Sequence, residues 1–268
     1  PGGPQGDRVK DDTAFDWGTH SLEDAEDLEV ALGPLRLRIW RTSGEIRLAY
    51  WRENEVAGLV DPRDPSGPDR WIRWVPTPGW SGQLQLTPIL PTRPLVVRPD
   101  HAFRLMQDSE ARIYVRVPVE LQVEVGDRTL LQVPTRVLSD TWWGSTEVGK
   151  LHYFLDTQAR RQLGDGDFEE HLAMCPVQLR NGSPEELTVH RISLQTEFLS
   201  LYRDGTRLWS DTTTVRYRGA DEDSDLRFGG TAPQEAPDAE LIGLARRSVG
   251  RGFSARTFAR QLRSSLKW

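Results

Sequence analysis

The sequence predicts a mainly β protein: an antiparallel β-sandwich, open to being two related β halves, that ends in a short C-terminal amphipathic helix. Three observations predict it. Apolar residues recur with a period of two, most clearly in "ARIYVRVPVELQVEV" (111–125). Compact turn pairs separate such runs, as at Ser43-Gly44, Gly126-Asp127 and Asp204-Gly205. Connections such as "PTPGW" and "ILPTRP" carry proline and suit loops over a sheet rather than crossover helices. The 268 residues, 37% of them hydrophobic, suffice for one large β domain or two small ones around a real core.

Residues 1–27 read as a disordered arm, Gly/Pro-rich in "PGGPQGDRVKDD" and acidic in "SLEDAEDLE". The β domain is expected over 28–218. "LRLRIWR" and "EIRLAYW" alternate around Ser43-Gly44 and form a hairpin. In 111–125, Ile113, Val115, Val117, Val119, Leu121, Val123 and Val125 point one way. Arg112, Arg116, Glu120, Gln122 and Glu124 point the other, the pattern of a half-buried antiparallel strand. Pro118 donates no hydrogen bond, so the strand has an edge or a bulge there. Further strands are expected near 70–75, 83–87, 94–98, 134–139, 149–155, 172–180, 187–195, 198–203 and 206–217. "LTVHRISLQ" changes phase at His190, which marks a bulge. "DTQARRQL" is compatible with a short helix. The segments 37–51 and 199–211 share apolar alternation, an aromatic residue, arginine and a glycine turn. Two unrelated hairpins would look the same.

Residues 219–240 are acidic and punctuated by Gly and Pro, as in a solvated linker. From Leu241 to Trp268 there is no acidic residue. At about 100° per residue, Phe258, Leu262 and Leu266 fall on one helical face, and Arg256, Arg260, Arg263 and Lys267 on the other. The basic tail 241–268 is thus expected to dock on its own domain, on a protein partner or on a second copy.

Composition excludes several functions. A formal net charge of −6 disfavours general nucleic-acid binding, because phosphates reward a positive face. Cys175 is the only cysteine, so neither an internal disulfide nor a cysteine zinc site can form. It shares the inward parity of Val177 and Leu179 and is expected to be buried and inert. No apolar run approaches the roughly 20 residues that span a membrane. The first residues do not resemble a secretory signal, and a cytoplasmic location is expected. The apolar stripe of the tail is short and partly alanine, so membrane-surface contact is not expected.

The densest chemistry lies in "SDTWWGSTEVGKLHYFLDT" (139–157). Trp142, Trp143, Gly144 and His152 are its candidate binding residues. Adjacent tryptophans on a strand face opposite sides, so one points inward or both sit in a turn with Gly144. His152 and Asp156 would share a helical face, but on a strand they lie about 13 Å apart, too far for one metal. "GDGDFEEH" (164–171) lacks the ordered ligand positions of a calcium loop. No nucleophile elbow, phosphate loop or zinc-protease motif occurs, and no catalytic residue, metal ligand or cofactor is assigned.

The order "TPILPTRPLVV", "RIYVRVPVELQVEV", "VLSDTWWGSTEVGKLHYF" resembles the family known as domain of unknown function 432, over roughly residues 28–218. That resemblance implies an all-β domain without an assigned activity, with the Gly144 turn as a local structural hallmark. The expected function is therefore that of a soluble, non-catalytic binding or regulatory module. The alternative is a carbohydrate-binding or carbohydrate-active domain, using Trp142, Trp143, Trp80 and nearby carboxylates.

Overall fold

The computed structural model describes residues 15–42, 44–53, 71–143, 149–155, 159–219 and 224–248. In chain order its strands are β1 (Gly18–Ser21), β2 (Asp27–Leu32), β3 (Leu35–Arg41), β4 (Ile46–Arg52), β5 (Ile72–Trp74), β6 (Gln83–Ile89) and β7 (Leu95–Val97). There follow β8 (Phe103–Leu105), β9 (Glu110–Pro118), β10 (Glu120–Val125), β11 (Arg128–Pro134), β12 (Ser139–Trp143), β13 (Lys150–Phe154) and β14 (Leu172–Asn181). The last are β15 (Leu187–Val189), β16 (Ile192–Leu194), β17 (Leu201–Asp204), β18 (Arg207–Ser210), β19 (Thr213–Tyr217), β20 (Asp225–Phe228) and β21 (Glu240–Gly243). The only helical turns among the described residues are the 3-10 segments Asp165–Asp167 and Thr196–Phe198. No helix among the described residues is long and apolar enough to cross a membrane.

Most pairings are antiparallel. One sheet is the meander β2-β3-β4-β5, and a second runs β1-β6-β10-β11. A third runs β12-β13-β7-β16, and β8 pairs with β15 alone. The largest is built on β14. It pairs with β9 along one side, and along the other with β18 at Ala173–Met174 and β19 at Val177–Asn181. The expected antiparallel pairing holds for most strands, with the exceptions that β14–β18, β14–β19 and β13–β7 are parallel. Parallel neighbours need a long connection. The strands β15 to β17, and β8 to β12, lie in sequence between those partners and supply it.

The long alternating run behaves as its period requires. Ile113, Val115, Val117, Val119, Leu121 and Val123 are wholly buried in one core, and Val125 packs at its margin. Each such side chain contributes roughly 1.5–3 kcal/mol by leaving water. The run breaks at Val119, next to Pro118. Before it, β9 pairs with β14; after it, β10 pairs with β6 and β11. The N–H of Val119 is taken by the carbonyl of His171, and its carbonyl accepts both the N–H and the hydroxyl of Thr135. One ribbon thus crosses from one sheet to another at a corner. The phase change at His190 likewise splits the expected 187–195 strand, since β15 joins β8 whereas β16 joins β7.

Other boundaries move. Residues 18–21, expected in the arm, form β1 on β6, because Trp17 and Leu22 bury their side chains in the core. Much of the expected linker is also ordered. β20 completes the largest sheet through buried Leu226, and Glu235 is bound by Arg112 and Tyr114. β21, at the start of the expected basic tail, pairs with β17. The tail residues Arg256, Phe258, Arg260, Leu262, Arg263 and Leu266 lie outside the described residues, and with them the amphipathic helix. Residues 135–138, expected as strand, form a loop between β11 and β12, and Ala159 and Arg160 make isolated bridges instead of a helix. The hairpins β3–β4 and β17–β18, which look alike in sequence, sit in different sheets with different neighbours.

Gly33 turns β2 into β3 at φ +55°, and a Cβ there would lie 2.3 Å from Cγ of the buried His171 ring. Left-handed strain and overpacking act together. Gly33→Ala is expected to lower stability by roughly 2–5 kcal/mol in urea unfolding, with the slope of the transition unchanged.

Candidate functional site

The corner where β9 becomes β10 encloses a cavity of about 90 Å³, lined by Pro91, Pro118, Glu120, Pro134, Arg136, Val137, Leu138 and Tyr153. The residue types explain why it stands there. Pro118 and Pro134 cannot donate to a ladder, so they end β9 and β11. Glu120 faces Pro134 across the first pair of β10 and β11. It sits on the polar side of the strand, yet only 7% of it is exposed, because the segment after β21 covers it. Arg246 donates to Glu120 Oε2 (2.7 Å), to the Leu90 carbonyl (2.6 Å) and to Gln132 Oε1 (3.2 Å). Gln132 also donates to Oε2, and Oε1 accepts no hydrogen bond from the described residues. Burial raises the Glu120 pKa above the ordinary carboxylate range, and Gln132 and Arg246 pull against it. Arg136 is exposed at the rim and pairs with no carboxylate among the described residues.

The hairpin β12–β13 reaches this cavity. Its register sets Trp142 opposite Leu151 and Asp140 opposite Tyr153, so these four share one face. Trp142 is 60% exposed and Leu151 37%, with Val137 close in sequence at 69%. Tyr153, at the inner end of that face, lines the cavity. Arg93 holds this end by stacking over Tyr153 at 5.2 Å and donating to Asp140 at 2.9 Å.

The opposite face is structural. Trp143 is wholly buried, stacked on His152 at 5.8 Å, with the Arg191 guanidinium 4.9 Å over its ring. The His152 ring bonds Ser193 Oγ (2.9 Å) and the Lys150 carbonyl (3.1 Å) and is 1% exposed. Of the expected binding residues, therefore, Trp142 presents a surface while Trp143 and His152 fill the interior. Gly144 lies outside the described residues, as does Asp156. Trp80 stands apart from the pair, under Arg41 and bonded to the Gln83 carbonyl.

Other chemically suggestive groups are occupied. In the acidic run, Asp167 accepts the Gly164 N–H and pairs with Arg160, and Glu170 accepts the Phe15 N–H. No three metal-ligating side chains come together among the described residues. Asp211 is buried and accepts the N–H groups of Ser200 (2.8 Å) and Gly230 (2.9 Å), tying β17 to the segment after β20. Burial raises its pKa, against those bonds. Cys175 is fully buried, and desolvation lifts its thiol to about 12, which leaves no thiolate for chemistry at neutral pH. Glu120, Arg136 and Tyr153 lay outside sequence reasoning as site residues. The proline spacing around Glu120 was the one available signal.

Among the described residues the molecule is thus all-β, with several sheets around a large core and a smaller cluster at Met174, Tyr202 and Trp209, and an exposed aromatic face that leads into a polar-ended cavity. By its sequence the chain belongs to the family described as Protein of unknown function (DUF432), whose family model matches residues 16–262. The match extends beyond residues 28–218 into both flanking segments, as the strands β1, β20 and β21 do. No curated protein and no solved structure matches the chain.

The buried histidines set an acid limit. Burial lowers the pKa of both His152 and His171 below the ordinary 6.5. In that interval the unfolded chain binds protons that the folded chain refuses. Their stabilisation is complete above about pH 6.5 and is lost as the pH falls through it towards the folded values. Glu120 and Asp211, whose pKa values are raised, act in the opposite sense, so the test compares variants. The wild-type urea midpoint is expected to fall more between about pH 7.5 and pH 5.5 than that of His152→Gln, which can still reach Ser193. Equal falls would show that His152 does not titrate on unfolding.

Proposed function

We propose that the protein is a non-catalytic binding module whose contact surface is the Trp142–Leu151 face of the hairpin and the cavity at its inner end. The observation that carries this reading is the divergence of the two adjacent tryptophans. Trp143 is spent on the core, whereas Trp142 is held in water beside an exposed leucine. A folded chain gains nothing from that exposure, and aromatic residues so placed anchor partners in pockets. Several ionisable groups with shifted pKa values, among them Arg112, Glu235, His152 and Asp211, are engaged in internal pairs or caps, which favours binding over catalysis.

A peptide or small-molecule ligand fits this surface better than a sugar. The alternative of carbohydrate recognition draws on a pair of tryptophans, and only Trp142 is presented, with Asp140 beside it. The basic segment after Ser248 belongs to the same proposal. Arg246, and Arg247 with its bonds to Glu197, fix the point from which it departs close to the cavity. From there Phe258, Leu262 and Leu266, flanked by Arg256, Arg260 and Arg263, would add contacts to an acidic protein partner or a second copy.

Three measurements test this. Wild type and Trp142→Ala are probed against random-peptide and glycan arrays. Ligands retained by wild type are expected to lose roughly tenfold or more in affinity to the variant, with its melting temperature unchanged. If wild type retains nothing, or the variant retains the same ligands, the reading fails. A chain ending at Ser248 is expected to melt like the full chain. Arg246→Ala, by leaving Glu120 buried and unpaired, is expected to lose roughly 3–5 kcal/mol.

A further inference from the structure

We propose that the corner cavity takes a small zwitterion of the amino-acid class, its ammonium on Oε1 of Glu120 and its carboxylate on Arg136. The inference rests on the binding-module reading and names what the inner end of that surface recognises. Three observations lead to it.

The first is the unused acceptor. Glu120 lines the cavity and is nearly fully buried, yet both of its hydrogen bonds fall on Oε2. Oε1 is left without a protein donor among the described residues on a side chain that lines the cavity, so a bound N–H group would find a charged acceptor there.

The second is the opposed charge. Arg136 stands at the rim of the same cavity with no carboxylate partner among the described residues. Arg246 already balances the charge of Glu120, so Arg136 supplies the charge that draws a carboxylate, while the free Oε1 of Glu120 supplies an acceptor for an N–H group on the same ligand. A ligand that carries both groups meets a partner at each end. Arg246 does not fill this role, since its guanidinium is engaged by Oε2, Leu90 and Gln132.

The third is size and lining. The volume of about 90 Å³, at roughly 10–15 Å³ per water-sized occupant, admits on the order of six heavy atoms. Pro91, Pro118, Pro134, Leu138 and Tyr153 offer it an apolar wall. Alanine and proline match that space.

The experiment titrates the full chain with L-alanine and L-proline, and with their N-acetyl and amide derivatives, by calorimetry and ligand-observed NMR. The free amino acids are expected to bind. N-acetylation removes the ammonium and amidation removes the carboxylate, so each derivative is expected to weaken binding roughly tenfold or more. Arg136→Gln leaves the internal pairings intact and is expected to lose the free amino acid to the same degree; Glu120→Gln should do so too wherever it folds. The inference is overturned if neither amino acid binds at millimolar concentration, if the blocked derivatives bind as well as the free ones, or if Arg136→Gln binds like wild type. None of these outcomes touches the array result for Trp142→Ala, so the cavity chemistry and the binding-module reading fail separately.

Discussion

The structure depends on one ribbon, Glu110–Val125, that keeps a single hydrophobic face while changing sheets. Its inward valines and leucine stay in the same core on both sides of Val119, so the apolar pattern continues unbroken. Its hydrogen-bond partners do not continue. Backbone groups that leave β14 must be satisfied by new neighbours, since an unpaired buried amide costs as much as a lost hydrogen bond. His171 and Thr135 meet that demand at Val119, and β6 and β11 meet it beyond. Proline is tolerated at this corner because the ladder is already interrupted there.

The same corner produces the polar-ended cavity that the hairpin face leads into. Where a strand changes partners, flanking chains diverge, and the prolines that end the strands cannot close the gap with hydrogen bonds. The side chain at the first position of the new ladder is Glu120. Its phase aims it away from the core, but the C-terminal segment folds over it. The close approach of that segment is visible at Gly243, where a Cβ would lie 2.4 Å from the Pro88 carbonyl oxygen. Core packing, strand exchange and the candidate site are therefore consequences of one geometry.

The hairpin β12–β13 shows how the fold separates structure from presentation. Neighbouring residues on a strand face opposite sides. Trp143 and His152 turn towards Arg191 and Ser193 and become interior, and Trp142 and Leu151 turn to solvent. Counting aromatic residues in the sequence treats both tryptophans alike. Only the identity of the layer behind each face distinguishes them.

Local alternation determined what it physically controls: that Ile113, Val115, Val117, Val119, Leu121 and Val123 turn inward, where the glycine turns fall, and that Pro118 and His190 interrupt pairing. These follow from a period of two, from proline's missing donor and from the phase of apolar residues within a few positions. Family membership was also legible, from the order of three such segments. The tertiary structure alone decided the parallel pairings of β14, the ordering of 18–21 and 225–243, the burial of His152, and the meeting of Glu120 with Arg246. Each joins residues far apart in sequence. The favourable energy comes from the partner surface, and nothing in the local pattern of either segment specifies that surface.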